Sequence, residues 1–448
     1  MIRTMIHIWL VVIHLALLTQ TRCLAQETNG HQPGKEIEQL KQKVAELEQA
    51  LAELEKHQHA AQADTSENEL EKELTAELGV TGQQTTQKAG PASGGVSQET
   101  MRARGRFFQN MNPNVSVIGT ILGNATSLDG VERNVDLSFE EGEFSFQAAV
   151  DPYAKADFFI AFGKHAEPVV RPQTDGELEE EAGGLEPEIE EAFITILSLP
   201  FSTQLKAGKF RSKFGKINET HPHAYNFVDL PLMYANFFGA EGLNDEGVGL
   251  SWLLPNEAFF QELTLQVTSG PSENSSFMRA RNNELLYLAH LKNFFDLNDD
   301  TTLELGLTGL TGPNNEAGAT TQMLAADLTL KWKPLQRNRY QSLEVLNEFL
   351  VSKRNGAPGE VTSIAFYSNL RYQFAKRWFI GGLFDYSEFP EFSEFNHKAI
   401  SGILQFFSTE FQKVEFQYKY NDGNFFDSFS EFKVRAVFVI GAHGAHQY

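Results

Sequence analysis

Five basic residues, Lys206, Lys209, Arg211, Lys213 and Lys216, fall within the segment "LKAGKFRSKFGKIN" of a chain whose formal net charge is −22. Cationic groups set this closely among aromatic residues and glycine can draw anions into an aqueous passage or bind acidic headgroups. Four further cations, Arg371, Lys413, Lys433 and Arg435, sit in stretches where polar and apolar residues alternate, "LRYQF", "KVEFQYKY" and "FKVRAVFVI". "HPH" presents two imidazoles, His221 and His223, and the tail presents His443 and His446. Imidazole suits zinc, but neither pair has a convergent framework of ligands in its spacing. No Ser/His/Asp arrangement, phosphate-binding glycine loop or paired-carboxylate site stands out, so the sequence predicts neither catalysis nor a cofactor. The acidity argues against nucleic acid as a partner.

The elements that must position these residues change character along the chain. Residues 1–25 read as an export signal: Arg3 supplies the positive end, Ile6 to Leu18 an apolar run and "CLA", Cys23 to Ala25, a small-residue cleavage site. The run is too short to cross a hydrocarbon core of roughly 30 Å as a helix. Cleavage removes Arg3, Arg22 and the sole cysteine, which takes the net charge to −24 and leaves no thiol for a disulfide.

Residues 26–78 carry a heptad seam, Ile37, Leu40, Val44, Leu47, Leu51 and Leu54. Glu36 with Lys41 and Lys43 with Glu48 lie where a parallel neighbour would present the opposite charge. A short parallel coiled coil is expected, with a trimer favoured; a single amphipathic helix packed on the rest of the chain is the alternative. Residues 79–106, including "GVTGQQTTQKAGPASGG", lack periodicity and read as a flexible linker.

From 107 to 448 the period falls to two. In "VEFQYKY" Val414, Phe416, Tyr418 and Tyr420 share one face, with Lys413, Glu415, Gln417 and Lys419 on the other. A soluble sandwich would show the same alternation. The connections discriminate. About sixteen candidate strands are joined by links that alternate between tight ("DP", "LPFS", "LPNEA", "AKR") and long, roughly 123 to 142, 164 to 189, 211 to 246 and 269 to 283 among them. That alternation predicts an all-β, transmembrane antiparallel barrel of the outer-membrane type, preceded by a short α-helical coiled coil. An even strand count places both barrel ends, and hence the coiled coil, on the periplasmic side of a Gram-negative outer membrane.

By this count "LKAGKF" is the fifth strand, with Lys206 toward the lumen, Leu205 and Ala207 toward lipid, and 211 to 246 the third and longest external loop. Alternation puts Lys155, Lys206, Lys331, Arg371, Lys413, Lys419, Lys433 and Arg435 inside, against Asp157, Glu304, Asp327, Glu344, Glu348, Asp385 and Glu415. This near-balance gives no ion preference. The acid-rich stretch "TDGELEEEAGGLEPEIEE", 174 to 191, reads as a solvated loop.

The segment "AGKFRSKFG", Ala207 to Gly215, resembles the "GxFKxPFG" pattern of the phosphate-selective porin family, with Lys213 in place of the proline. "NPNVSVIG" from Asn112 and "DPYAKADFF" from Asp151 are similar to stretches of related uncharacterised outer-membrane proteins. The resemblance implies a passive pore for small hydrophilic solutes or ions, narrowed by the loop 211–246. It makes Lys206, Lys209, Arg211, Lys213, Lys216, Arg371, Lys413, Lys433 and Arg435 candidate pore or constriction residues. Expected partners are the solutes, outer-membrane lipid and lipopolysaccharide, and further copies of the chain through coiled coil and barrel. Two other readings stay open: an outer-membrane receptor or transporter for a specific nutrient or metal, and a structural envelope protein.

Overall fold

The computed structural model describes residues 113–441 apart from 129–133, 164–171, 173–185, 271–273, 280–283, 315–317 and 357–358. The expected signal, coiled coil and linker, with His443 and His446, lie outside the described residues. Sixteen antiparallel strands form one closed barrel. They are β1 (Asn114–Thr126), β2 (Val135–Asp151), β3 (Ala154–Gly163), β4 (Glu186–Leu199), β5 (Thr203–Arg211), β6 (Asn244–Leu253), β7 (Phe260–Thr268) and β8 (Leu286–Asn298), followed by β9 (Thr301–Pro313), β10 (Thr320–Trp332), β11 (Ser342–Asn355), β12 (Glu360–Ala375), β13 (Trp378–Glu388), β14 (Asn396–Thr409), β15 (Gln412–Gly423) and β16 (Phe429–Gly441). Each strand pairs with its sequence neighbour, and β1 closes on β16 in a register running from Ser116 opposite Gly441 to Thr126 opposite Glu431. Closure leaves no sheet edge, so the wall satisfies its own backbone groups without help from water.

Alternation along the strands fixes the two faces of the wall. Val248, Leu265, Leu307, Leu324, Phe349 and Ile400 are among the exposed outward side chains. They form part of an apolar band suited to lipid, where a midplane charge would cost roughly 2–4 kcal/mol. Among the described residues no helix is long and apolar enough to cross a membrane, which says nothing of a barrel's strands.

Bulges in β2 and β4 break the alternation away from the tight turns. The β1–β2 register slips between Thr120 and Ile121, which face Glu141 and Phe139, so Glu140 is an extra residue. The β3–β4 register slips between Phe159 and Ile160, which face Glu191 and Ile189, so Glu190 is extra. A bulge of this kind lets adjacent side chains share a face.

The loop expected over 123 to 142 is therefore corrected. β1 runs on to Thr126 and β2 starts at Val135, which builds Glu140, Glu141 and Glu143 into the wall. The solvated acidic loop expected through 191 is corrected as well. β4 starts at Glu186, and Glu190 and Glu191 are buried, because the inward-folded third loop supplies basic partners for them.

Candidate functional site: the loop-filled lumen

The connection 212–243 between β5 and β6 folds into the barrel. Its aromatic stretch "LMYANFF" forms the helix α1 (Leu232–Phe238). Among its residues Met233, Tyr234 and Phe237 are fully buried. They pack with Phe214, Phe227 and Phe238 of the same loop against inward residues of the wall, including Leu288, Leu310, Met323, Leu346, Leu350 and Tyr367. One half of the lumen is thus an apolar seat, a departure from the polar interior expected throughout the barrel.

A single carboxylate locks the loop onto this seat. Glu348 of β11 accepts hydrogen bonds at Oε1 from the backbone N–H groups of Lys216 (3.1 Å) and Ile217 (3.2 Å) and from the Tyr367 hydroxyl (2.6 Å). Its Oε2 accepts from the Tyr234 hydroxyl at 2.7 Å. Gly215 makes the approach possible. Its φ is +57°, and a Cβ there would collide with the Glu348 carboxylate and the Tyr234 hydroxyl.

The other half of the lumen holds a cavity of about 940 Å³ that runs beneath the loop toward the short turns. Opposite charges interleave along its lining. Lys206 Nζ lies 3.7 Å from Glu219, Lys213 Nζ 2.7 Å from Glu262, Lys216 Nζ 2.8 Å from Glu304 and Lys292 Nζ 3.1 Å from Glu304. Lys206 also sits 4.4 Å over the Phe193 ring. Burial opposes the charge on Glu219, but Lys213 and Lys206 outweigh it and hold its carboxyl below the ordinary range.

Of the basic segment, Lys206, Arg211, Lys213 and Lys216 line this cavity. Lys209 does not. It shares the outward face of Leu205 and Ala207, and its ammonium donates to Glu188 Oε1 at 3.0 Å and to the Ile189 carbonyl at 2.7 Å.

The cations farther along the chain face inward as their alternation predicts, and four of them hold the loop. Lys413 donates to the Tyr225 carbonyl at 3.1 Å. Arg435 donates to Glu415 and to the Phe227 carbonyl, both at 2.7 Å. Lys433 and Lys419 close on Asp229 of the loop at 2.6 and 3.2 Å, and Gln417 donates to the same carboxylate at 2.8 Å. Burial alone would raise the Asp229 carboxyl; the two ammoniums and their hydrogen bonds prevail and hold it well below the usual carboxylate range. Arg371 does not reach the loop through these contacts; it lies 4.0 Å over the Phe379 ring and donates to Gln405 at 2.7 Å.

His221 and His223 meet the acids that the two bulges turn inward. His221 Nδ1 lies 3.0 Å from Glu143 Oε2 and 3.3 Å from Glu190 Oε2, and His221 Nε2 lies 2.9 Å from Glu191 Oε2. His223 Nδ1 is 3.4 Å from Glu143 Oε2. Arg211 is bound to the other oxygen of Glu190. Burial disfavours the charged form of His221, but Glu190 and Glu143 more than compensate and raise its pKa well above the usual value. The cluster divides the 940 Å³ cavity, lined by His221 and Glu191, from a second of about 170 Å³ on the long-loop side, lined by His223, Glu141 and Glu190. Sequence reasoning found the imidazoles and missed the acids. The doublets in "FEEGE" and "EIEEAF" were the available signal, since in a strand of strict alternation one member of each would face lipid.

The chain folds as a closed sixteen-strand antiparallel barrel with an inward third loop. No family model matches the chain. An uncharacterised protein of Aquifex aeolicus (strain VF5) is 28% identical over 301 residues, which cover 58% of this chain and 63% of that relative's own length. Among solved structures, an anion-selective porin from Comamonas acidovorans is 10% identical with a TM-score of 0.49, covering 73% of this chain and 100% of that one. OprB of Pseudomonas putida is 10% identical with a TM-score of 0.49, covering 75% and 96%. OmpT of Vibrio cholerae is 11% identical with a TM-score of 0.47, covering 73% and 98%. At these identities the likeness is one of chain path.

Proposed function

We propose that the chain is a passive outer-membrane channel for small hydrophilic solutes or ions, with the loop 212–243 setting its size and charge preference. The observation that carries this reading is the 940 Å³ cavity beneath the loop, lined by interleaved lysines and glutamates. A lining of fixed charges in a lumen wide enough for water allows ions to pass between weak sites. Among the cations lining it, Lys206, Lys213, Lys216 and Lys292 each face a carboxylate, which favours modest selectivity over tight capture of one anion. The finer kinship with phosphate-selective porins rests on the expected N-terminal coiled coil, the sixteen-strand tally and "AGKFRSKFG". A homo-oligomer, trimer favoured, with the N-terminal region in the periplasm and no catalytic role, completes the proposal.

Single-channel recording of the folded full chain in planar bilayers tests it. Discrete open steps that scale with salt are expected. A barrel that stays closed under all applied voltages would overturn the channel reading and favour a receptor or structural envelope protein.

A further inference from the structure

The partition between the two cavities has the composition and spacing of a metal centre. Glu143, His221 and His223 each offer a donor atom, and all three atoms lie within 4.8 Å of one another at buried positions. A tetrahedral zinc site with bonds of 2.0–2.1 Å has donor-to-donor edges of roughly 3.3 Å. The donor pairs here measure 3.0 Å (His221 Nδ1 to Glu143 Oε2), 3.4 Å (His223 Nδ1 to Glu143 Oε2) and 3.3 Å (His221 Nδ1 to Glu190 Oε2). We propose that Glu143, His221 and His223, with Glu190 as a fourth donor, bind a divalent transition ion of the zinc class and staple the third loop to β2 and β4.

Two observations beyond ligand type point the same way. Glu143 is 1% exposed, yet neither of its carboxylate oxygens accepts a well-directed hydrogen bond. A buried carboxylate in that condition is costly unless a cation completes it. The second is the far side of His221, where Nε2 lies 2.9 Å from Glu191 Oε2. A carboxylate behind the imidazole fixes the tautomer in which Nδ1 would ligate, and this outer partner accompanies metal-binding histidines generally. The charge also fits. Glu141, Glu143, Glu190 and Glu191 are all buried here, and Arg211 is bound to Glu190. The bulges at Glu140 and Glu190 create this surplus by turning neighbouring acids the same way. The rival occupant is a proton on His221, which would make the cluster an ion pair without metal.

The inference does not rest on the channel reading, because a closed barrel would hold the same ion, and its test uses no conductance. The folded full chain in detergent is titrated with Zn²⁺ by calorimetry and with Co²⁺ by visible absorption at neutral pH. One equivalent per barrel is expected, with the intense d–d bands of a four-coordinate cobalt site. Glu191→Gln should weaken binding by about 10–100-fold, the usual effect of losing a carboxylate behind a ligand. His221→Ala with His223→Ala should abolish it, and His443→Ala with His446→Ala should leave it unchanged. Heat-modifiable migration on a gel reports folding in every variant; should the double histidine variant not fold, Glu143→Gln serves in its place and should weaken binding to a similar degree as the loss of one ligand. Absence of binding would overturn the proposal in favour of the proton. So would binding that survives the loss of both loop histidines, or Ca²⁺ competing equally with Zn²⁺, since the latter would mean that carboxylates alone hold the ion.

Discussion

The two halves of the lumen solve the same problem by different physics. Against β8 to β14, loop residues Phe214, Met233, Tyr234 and Phe237 are fully buried among leucines and aromatic rings. Against β3 to β9, the same loop presents Lys213, Lys216 and Glu219 to a charged cavity. Apolar burial is non-directional and depends on shape and close packing. The charged half depends on each ion having an opposite number within reach. The loop is therefore seated by its aromatic end and exposes its basic foot to water, so a substitution in one half should move the loop and a substitution in the other should retune what passes it.

The largest expected effect comes from breaking the seat. Phe237→Asp places a carboxylate among apolar groups at a cost of several kcal/mol. The loop should leave the wall while the barrel stays closed, and bilayer recordings should show conductance raised several-fold with heat-modifiable migration intact. Unchanged conductance in a folded variant would mean that the seat does not control the passage.

Removing the polar anchor should come next. Asp229→Ala leaves the Lys419 and Lys433 ammoniums facing each other across a vacated carboxylate, and breaking a buried pair in this way costs about 3–5 kcal/mol. The same carboxylate sets a pH dependence. Its folded pKa is depressed, so its contribution is fully present above the ordinary aspartate value of about 3.9 and is lost as pH falls through the lower folded value. Wild-type open-state noise should stay flat down to about pH 4 and rise only in stronger acid, whereas Asp229→Ala should be noisy at neutral pH. A wild-type transition near neutrality would contradict the assigned anchor.

A smaller effect sharpens the comparison from the wet side. Lys206→Glu with Lys213→Glu should shift the reversal potential toward cation preference, most strongly at low salt, since screening limits the reach of these charges to about 10 Å at 0.1 M. The smallest is a control. Lys209→Gln, on the outward face, should leave reversal potential and conductance as they are; a shift would place the lysine in the conduction path.

What the sequence revealed follows from where the constraint acts. Lipid imposes a two-residue period on the outer face of every strand, so Phe349, Ile400 and their like announce the wall, and the tight and long links announce its topology. The inner face answers to the loop. Leu346 and Leu350 look like surplus apolar residues until α1 covers them, and Glu348 reads as one more luminal acid until Lys216, Ile217 and Tyr234 arrive at it. No local period encodes a contact between residues so far apart in sequence. Glu140 and Glu190 escape for another reason: a bulge is a single inserted residue, and alternation counted across it assigns its neighbours to the wrong side.

The Asp229–Lys433 bond, spanning 204 residues, has a consequence for biogenesis. The partners of Asp229 stand on β15 and β16, the last described strands to emerge, while the loop's aromatic helix emerges near the middle of the chain. Until those strands join, a sticky aromatic segment has no complete berth, and contacts of such high sequence separation form slowly because the intervening chain must first be ordered. Sealing of the cylinder thus coincides with completion of the Asp229 anchor, and a chain stalled before β15 would carry the loop without that fastening to whatever escorts it through the envelope.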